Sequence, residues 1–437
     1  MASHPLAVLV ILDGLADRPG PAGADPTPLE LAATPHLDRL CREGQFGRVS
    51  IAGPGVAPES DAGVLSLLGY DPVQDSPGRG VLEALGAEVP LTPADVAFRL
   101  NFATADAEGA ILDSRVGRNL TTAETGELAR SLTEADLLAP MGIRAEARAT
   151  VGHRGILWLQ PLDGAELSGQ VSNSDPFYER TGGMGHARTP THPHPLLVRP
   201  LDGSVAAHRT AEATNRFLKA AGSILAAHPI NARRSASGRK VGNALLLRNA
   251  GRVPVVRPPS FGALHGLEGT AVTEMPVERG IARLFGLADR FVGPMGPDRD
   301  RSLRERAEAT RAALGERPFA YVHLKGPDEP GHDGRADLKR EVIEDLDRSF
   351  FGPFLTGLDA RSVRIAVTAD HATPATLRGH SDDPVPIVYW GRGVAPSGEP
   401  VKFSERSCAE RGALGLRPAG HVLRWLLAPE VPAAPAP

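Results

Sequence analysis

The sequence predicts an α/β fold, in which a mainly parallel sheet is flanked by helices and a smaller α+β domain is inserted. Three observations support this prediction. Short uninterrupted apolar runs, typical of buried parallel strands, occur near the start and again late in the chain. Segments with helical spacing follow several of these runs, as in a sheet covered by helices on both faces. The middle of the chain has short strand-like runs separated by turn residues, which is typical of a separate insertion.

The predicted core strands are short apolar runs, each bounded by residues that end a strand. They are Ala7–Leu12, Phe319–Leu324, Val363–Thr368 and Pro386–Trp390. The predicted core helices have apolar residues at helical spacing along one face. They are Thr34–Glu43, Ala336–Phe350 and Ala419–Leu427. Strands and helices therefore alternate along the chain.

The inserted domain is predicted at residues 96–204, so that the core consists of residues 1–95 and 205–437. Its predicted strands are Val96–Thr104, Ala110–Asp113, Ala147–Val151 and Gly155–Leu159. The segment Asp163–Pro200 is rich in Gly, Pro, His and Ser, and we expect it to form loops over a binding site. The chain then continues in the core with a helix, Thr210–Ala227, and a short strand, Ala244–Leu247.

The composition is typical of a globular protein in water, with 41% hydrophobic and 23% charged residues among 437. The formal net charge of -4 argues against a general nucleic-acid-binding protein. No apolar run is long enough to span a bilayer, and the first one leads directly into Asp13, which favours a core strand over a signal peptide. Cys41 and Cys408 are expected to be free thiols, which indicates a reducing, cytoplasmic environment.

Two interpretations are open for Glu59-Ser60-Asp61, which precedes the apolar run Val64–Leu68. Ser60 or Asp61 could cap a helix that ends at Gly69, and capping is the commoner use of these residue types before an apolar run. Alternatively, Ser60 is a nucleophile, because a helix N-terminus favours an oxyanion or a phosphate. The choice depends on whether residues elsewhere activate the hydroxyl.

Carboxylate and imidazole side chains follow the predicted core strands, at the edge where open parallel sheets bind ligands. They are Asp13, Asp328, His332, Asp370, His371 and His380. Taken singly they have ordinary alternatives: Asp328 with His332 fits a surface turn, His380 fits a loop, and Asp13 fits a helix cap. Four such features at successive strand ends are not expected by chance, so we interpret them together as a metal site.

Mixed carboxylate and imidazole ligands suit Mn²⁺ or Zn²⁺, while Co²⁺ and Mg²⁺ stay open, and the number of ligands indicates two ions. Two adjacent ions can hold a phosphoryl group and acidify a hydroxyl. Ser60 could then act as an alkoxide without a histidine base, which favours the nucleophile interpretation.

The motifs resemble those of the archaeal-type, cofactor-independent phosphoglycerate mutases, within the alkaline phosphatase superfamily. The matching stretches occur in that family's order from Val8 to Pro386 and read VLVILDGLADRPG, TPLELAATPHLDRL, SDAGVLSLLGYDP, GRGVLEALG, FRLNFAT, HPINARR, VHLKGPDEPGH, VIEDLDR, TADHATP and GHSDDPVP. The resemblance implies an alkaline-phosphatase-like core that interconverts 3-phosphoglycerate and 2-phosphoglycerate, or acts on a related phosphorylated metabolite. It also implies two divalent metal ions and no 2,3-bisphosphoglycerate cofactor.

The resemblance also assigns roles to individual residues. One metal site would consist of Asp13, Ser60, Asp370 and His371, and the other of Asp328, His332 and His380. Ser60 would take the phosphoryl group from the substrate and return it to a neighbouring hydroxyl. The inserted domain would exclude water during this transfer.

Arginine side chains are the candidates for substrate contacts, because forked guanidinium groups suit phosphate and carboxylate. The candidates are Arg79, Arg115, Arg118, Arg154 and Arg279, each of which could also be a solvated surface charge. Three positions depart from the family pattern: Glu59 replaces a glycine, Phe177 replaces a histidine, and Arg279 lies near the position of a lysine. These departures favour retained phosphoryl-transfer chemistry with an altered substrate end.

Two further functions stay open. A metal-dependent phosphatase or phosphonate-processing hydrolase would use the same groups without protecting the intermediate from water. A non-catalytic metal-binding protein would be expected to have lost the nucleophile or a ligand, and the sequence retains all of them. The expected partner is a small phosphorylated metabolite, with neither nucleic acid nor a membrane, and a homo-oligomer stays open.

Overall fold

The computed structural model describes residues 6–20, 25–181, 184–187, 190, 193–398 and 400–431. The first elements are β1 (Leu6–Leu12), α1 (Pro28–Leu31), α2 (Pro35–Glu43), β2 (Gln45–Ser50) and α3 (Ser60–Leu67). The middle of the chain contains α4 (Arg79–Gly86), β3 (Val96–Ala105), β4 (Ile111–Asp113), α5 (Thr122–Glu134), β5 (Ile143–Ala149), β6 (Arg154–Pro161), β7 (Tyr178–Thr181), β8 (Met184–Ala187), α6 (Val205–Ala226), α7 (Pro229–Ala236) and β9 (Ala244–Gly251). The last part contains α8 (Phe261–His265), β10 (Gly269–Thr273), α9 (Pro276–Leu284), β11 (Ala288–Phe291), α10 (Arg299–Glu316), β12 (Phe319–Leu324), α11 (Asp328–His332), α12 (Ala336–Asp345), a π-helical turn (Leu346–Phe351), α13 (Gly352–Leu355), β13 (Val363–Thr368), β14 (Val385–Gly391), α14 (Glu405–Glu410), β15 (Leu416–Pro418) and α15 (Gly420–Leu427).

The chain forms two compact units. The first consists of Met1–Asp75 together with Pro258–Pro437, and the second of Ser76–Arg257. The second unit is wider than the insertion expected at residues 96–204. The reason is a non-local pairing: β9 pairs with β3, and α4 packs on β3, so segments on both sides of the expected insertion belong to the same unit.

The first unit is built on an eight-stranded sheet of order β11-β10-β12-β1-β13-β14-β2-β15. The strands from β11 to β13 are mutually parallel, β14 is antiparallel to both of its neighbours, and β15 is parallel to β2. Strands β12 and β13 are buried along their whole length, and β1 is buried from its second residue onward, as expected for strands with helices on both faces. The predicted α/β fold with a mainly parallel sheet is therefore confirmed.

The topology brings the strand ends that precede the predicted metal-ligating residues to one edge of this sheet. Strand β1 lies between β12 and β13 and is parallel to both, with Leu12 opposite Leu324 and Ile11 opposite Thr368. The carboxyl ends of the three strands therefore lie side by side. The residues that follow these ends begin with Asp13, Lys325 and Ala369.

The second unit contains an antiparallel sheet in which β3 pairs with β4, β6 and β9, and β6 pairs with β5. Alternate residues of β3, including Phe98, Leu100 and Phe102, belong to an apolar core that α5 and α6 also line. Within the predicted loop segment Asp163–Pro200, the described residues include the short hairpin of β7 and β8. The strand predicted at Ala147–Val151 begins earlier and ends earlier in the structure, as β5.

No helix within the described ranges is long and apolar enough to cross a membrane. Cys41 and Cys408 are both buried and free, as predicted.

Candidate active site

Ser60 is the first residue of α3, and its neighbour Glu59 is the N-cap. In this part of the described chain no side chain caps the helix, so capping does not account for the serine. A β-carbon on Gly63 would lie 2.3 Å from the carbonyl oxygen of Asp370. Glycine at this position therefore lets the first turn of α3 approach the end of β13 and brings Ser60 to the strand ends.

The Ser60 hydroxyl lies between Asp13 and His371. Its Oγ is 3.4 Å from Asp13 Oδ1 and 3.3 Å from His371 Nε2. On the other side of the ring, His371 Nδ1 lies 3.0 Å from Thr373 Oγ1, and this hydroxyl donates to Asp328 Oδ1 at 2.8 Å. Because the threonine hydroxyl has only one proton, it accepts from His371 Nδ1, and Nε2 of the neutral ring carries a lone pair directed at Ser60.

A second group of side chains is formed by Asp328, His332 and His380. His332 Nδ1 lies 3.2 Å from the carbonyl oxygen of Arg378, and His380 Nδ1 lies 2.8 Å from that of Pro58. A carbonyl oxygen only accepts, so both rings donate from Nδ1, and both Nε2 atoms of the neutral rings carry lone pairs. These Nε2 atoms are 3.2 Å apart, at 3.5 and 3.4 Å from Asp328 Oδ1. Lone pairs and a carboxylate that converge in this way suit a bound cation.

The donor set at this edge fits divalent metal ions. Three groups each bring ligand atoms within 4.8 Å of one another: Asp328 with His332 and His380, Asp13 with His323 and Asp370, and Asp13 with Asp328 and His371. All are carboxylate and imidazole groups, which suit Mn²⁺, Zn²⁺ or Co²⁺. The structure thus brings together all six predicted carboxylate and imidazole residues, with Ser60 beside them.

The electrostatic environment of this cluster favours positive charge. Burial opposes ionisation of His371, but Asp370, Asp13 and Asp328 outweigh it and raise the pKa of the ring to about 9. Burial also disfavours the charged form of Asp13, yet the neighbouring Lys325 ammonium holds the pKa of that carboxyl well below its usual range. Carboxylates that stay ionised in a buried cluster are stabilised further by bound cations.

His323, Lys325 and Glu278 also belong to this cluster but are not among the predicted site residues. His323 Nε2 lies 3.1 Å from Asp370 Oδ2. Lys325 Nζ lies 3.0 Å from Asp13 Oδ2 and 2.8 Å from Glu278 Oε1. An imidazole inside an apolar strand, followed two residues later by a lysine, is a sequence signal that points to such a role, because buried strands seldom carry these groups without partners.

The second unit contains four neighbouring guanidinium groups, which we call the arginine cluster: Arg79, Arg99, Arg154 and Arg248. Arg99 and Arg248 are directly opposite each other on β3 and β9. Arg79 Nε and Arg99 Nη1 lie 3.0 and 3.1 Å from Glu83 Oε1. Burial and the neighbouring Arg79 lower the pKa of Arg99 to about 9, although Glu83 opposes this. Crowded positive charge of this kind suits an anionic ligand.

The arginine cluster contains two of the predicted substrate residues, Arg79 and Arg154. Arg99 and Arg248 are additions, and the signal for them is a charged residue inside an otherwise apolar strand. His153 directly precedes Arg154, the member of the arginine cluster at the start of β6. The pKa of His153 is lowered to about 3, mainly because the ring is buried. The positive charges of four arginines lower it further: Arg154, Arg99, Arg115 and Arg118.

Arg279, the remaining predicted substrate residue, lies on α9 in the first unit. Its Nε donates to Asp289 Oδ2 at 2.8 Å, and its guanidinium lies 4.7 Å from the centre of the Phe291 ring. These two partners belong to the edge strand β11. On the same helix, Glu278 is the residue that contacts Lys325.

The family model and the related sequences that match this chain carry the same family description. The family model for 2,3-bisphosphoglycerate-independent phosphoglycerate mutase matches residues 41–231. A protein of that name from Aeropyrum pernix is 43% identical over 415 residues, which cover 94% of this chain and 96% of that one. Its counterpart from Methanopyrus kandleri is 38% identical over 424 residues, which cover 96% and 95% of the two chains.

Solved structures agree with these relatives. A protein from Pyrococcus horikoshii has a TM-score of 0.74 and 29% sequence identity, with 96% of each chain covered. The cofactor-independent phosphoglycerate mutase from Thermoplasma acidophilum has a TM-score of 0.59 and 33% identity, covering 97% of this chain and 98% of that one. The similarity therefore extends over nearly the whole chain.

Proposed function

The chain belongs to the 2,3-bisphosphoglycerate-independent phosphoglycerate mutase family, and we propose that it interconverts 3-phosphoglycerate and 2-phosphoglycerate through a phosphoserine at Ser60. It is an isomerase of this family. The observation that supports the phosphoserine is the position of Ser60 Oγ, at the start of α3 and 3.3–3.4 Å from His371 and Asp13. A helix N-terminus favours the negative charge of a phosphoryl group.

In the proposed reaction the same phosphoryl group is transferred twice, first to Ser60 and then back to the bound glycerate. In the first, Ser60 Oγ attacks the phosphorus of 3-phosphoglycerate, the bond from phosphorus to the C3 oxygen breaks, and that oxygen takes up the hydroxyl proton. In the second, the C2 oxygen of the bound glycerate attacks, the bond from Ser60 Oγ to phosphorus breaks, and the C2 hydroxyl proton returns to Ser60. No external phosphoryl donor is consumed, so 2,3-bisphosphoglycerate is not needed.

We propose two divalent metal ions as cofactors. One ion would have Asp13, Ser60, Asp370 and His371 as ligands, which are joined by contacts of 3.3–3.7 Å through His371 Nε2. The other would have Asp328, His332 and His380. When bound, such ions neutralise phosphoryl oxygens and lower the pKa of a neighbouring hydroxyl. The residues themselves orient Ser60: its Oγ lies 3.4 Å from Asp13 Oδ1, which can accept its proton, and 3.3 Å from His371 Nε2.

The anionic groups of the substrate need cationic partners, and we propose that the arginine cluster supplies them, with Arg115 and Arg118 as further candidates. Replacing Arg79 by Met should raise KM for 3-phosphoglycerate at least about tenfold, because one charge-assisted contact is lost. Arg301→Met is the matched control, since the Arg301 side chain is 77% exposed and pairs with Glu305 along its own helix. Equal KM values for both variants would argue against this assignment.

A ³¹P NMR time course tests the proposed function. Purified protein with Mn²⁺ and 3-phosphoglycerate should produce a 2-phosphoglycerate signal without free phosphate and without added 2,3-bisphosphoglycerate. Ser60→Ala should abolish the signal, whereas Ser66→Ala, which removes a hydroxyl from the same helix, should retain it.

Free phosphate as the only product would overturn the mutase and support a phosphatase on the same scaffold. No reaction in a metal-loaded sample would overturn phosphoglycerate as the substrate. A panel of other phosphorylated acids and sugars would then be needed.

A further inference from the structure

Lys325 is held between two carboxylates at the predicted reaction centre. Its Nζ lies 3.0 Å from Asp13 Oδ2 and 2.8 Å from Glu278 Oε1. The Lys325 side chain is 22% exposed, whereas those of Asp13 and Glu278 are only 6% and 1% exposed. Of these three charged side chains, that of Lys325 is therefore the most accessible to a ligand.

The same ammonium is linked to the nucleophile through Asp13. Asp13 contacts Lys325 through Oδ2, and its other oxygen, Oδ1, lies 3.4 Å from Ser60 Oγ. An ammonium group has three N–H donors, and within the described part of the chain Lys325 Nζ lies at ion-pair distance from two carboxylates, those of Asp13 and Glu278. The third donor is available for an oxygen of a phosphoryl group bound to Ser60.

Glu278 contacts two residues of the same strand. Besides its ion pair with Lys325, its Oε1 lies 3.7 Å from His323 Nδ1. His323 in turn has its Nε2 3.1 Å from Asp370 Oδ2. Glu278 thus faces both Lys325 and His323. Lys325 in turn contacts Asp13, and His323 contacts Asp370.

We propose that Lys325 contacts the transferred phosphoryl group and that Glu278 is a positioning residue that holds the ammonium beside Ser60. This inference rests on the proposed phosphoserine chemistry and adds a cation that is not among the predicted site residues. A buried carboxylate is strongly disfavoured unless it is paired, and Lys325 provides that pairing for Glu278.

The geometry of α9 explains why Glu278 and not its neighbour has this role. Successive residues of a helix point about 100° apart around its axis. Arg279 faces Asp289 and Phe291 at the edge of the sheet, so Glu278 faces β12. A second acid, Glu274, accepts from the backbone nitrogen of Lys325 at 3.0 Å and fixes the start of the segment after β12.

A double-mutant cycle in kcat at saturating Mn²⁺ tests the proposal. Lys325→Met should lower kcat about 10²- to 10³-fold, as for the loss of one donor to the transferring group. Lys325→Arg should restore part of this loss because it keeps the charge. Glu278→Gln should lower kcat about 10- to 100-fold in the wild-type background, with a smaller change in KM, and should have no further effect in the Lys325→Met background.

A merely structural role for Glu278 gives a different result. Glu278→Gln would then lower kcat by the same factor in both backgrounds, and that result would overturn the proposal. The double variant also limits a folding defect, because it removes the buried Glu278 charge together with that of its partner Lys325. Glu124→Gln is the matched control: it weakens the ion pair with the buried Arg234 in the second unit and should leave kcat unchanged.

Failure of the proposed function can be separated from failure of this inference. If the wild type does not convert 3-phosphoglycerate, the cycle is measured as Ser60-dependent hydrolysis of 4-nitrophenyl phosphate. Coupling between Glu278 and Lys325 in that assay would support the inference although the mutase proposal had failed. Absence of coupling, or absence of any Ser60-dependent transfer, would overturn it.

Discussion

His332 and His380 point their Nε2 atoms at each other across 3.2 Å. Each ring donates from Nδ1 to a backbone carbonyl, so in the neutral rings both Nε2 atoms carry lone pairs. Two lone pairs at this distance repel each other unless a cation or a proton lies between them. The pair therefore supports the proposed metal site, because a bound cation would remove this repulsion.

Removing one of these rings should weaken metal binding. We expect His380→Ala to lower the affinity for Mn²⁺ at least about tenfold, because one ligand and its fixed orientation are lost. Titration of the protein with Mn²⁺, followed by electron paramagnetic resonance of the free ion, measures this. His208→Ala, at an exposed position of α6, is the control and should bind Mn²⁺ like the wild type. Equal affinities for both variants would remove His380 from the metal site.

The hydroxyl of Thr373 should also be required, since it orients His371 and Asp328 together. Thr373→Val keeps the shape but removes the donor to Asp328 Oδ1 and the acceptor for His371 Nδ1. We expect Mn²⁺ affinity to fall about 10- to 100-fold, as is typical for groups that orient ligands. Thr373→Ser retains the hydroxyl and should retain the affinity. A serine variant as weak as the valine variant would show that packing, and not the hydroxyl, is what matters.

The close approach of α3 to β13 can be tested with a single methyl group. Gly63→Ala places a β-carbon 2.3 Å from the Asp370 carbonyl oxygen, so the helix or the strand end must move. We expect urea denaturation to give a free energy of unfolding lower by about 1–3 kcal/mol, together with a loss of activity.

Gly126→Ala is the matched control for this experiment. Gly126 lies inside α5, where an added β-carbon meets no atom of the described residues within 4 Å beyond the backbone of its own helix. Alanine is the better helix former, so this variant should be more stable by about 0.5–1 kcal/mol. Stabilisation by Gly63→Ala as well would contradict the packing described for α3.

Stability should depend on pH through His153. Burial and the neighbouring arginines lower the pKa of this ring to about 3 in the folded protein, below its ordinary value of 6.5. The unfolded chain therefore takes up the proton first, so the stability contributed by the neutral ring is fully present above pH 6.5. It is lost as pH falls from 6.5 towards 3, with a slope of up to about 1.4 kcal/mol per pH unit.

His153→Gln isolates this contribution, because glutamine does not titrate. The difference in the free energy of unfolding between wild type and variant, measured by urea denaturation at several pH values, should change steadily between pH 6.5 and pH 4. A constant difference over this range would mean that His153 is not held neutral by its surroundings.

Much of the first unit could be predicted from the sequence because its signals are local. Apolar runs such as Ala7–Leu12 and Val363–Thr368 coincide with β1 and β13, and the acids and imidazoles that follow them meet at one sheet edge. Strand β2 reads QFGRVS and has no apolar run, and α10 carries so many charged residues that its apolar stripe is weak. Neither element can be recognised without its packing partners.

The remaining site residues depend on tertiary contacts. A glutamate in the first turn of α9 is typical of a solvated helix start, and only the approach of β12 makes Glu278 a partner of Lys325. The limits of the second unit depend in the same way on the pairing of β9 with β3, which joins segments about 150 residues apart. Such non-local pairings leave little trace in the sequence of either segment.

In the proposed reaction, Ser60 carries the phosphoryl group between the two hydroxyls of glycerate. The most direct measurement is rapid acid quench of the Mn²⁺-loaded protein with 3-phosphoglycerate, followed by mass spectrometry of its peptides. We expect one phosphoryl group on Ser60 in the peptide that spans the start of α3, formed before 2-phosphoglycerate accumulates and lost when substrate is exhausted. Formation of 2-phosphoglycerate by the Ser60→Ala variant, or phosphorylation at another residue instead, would contradict the account.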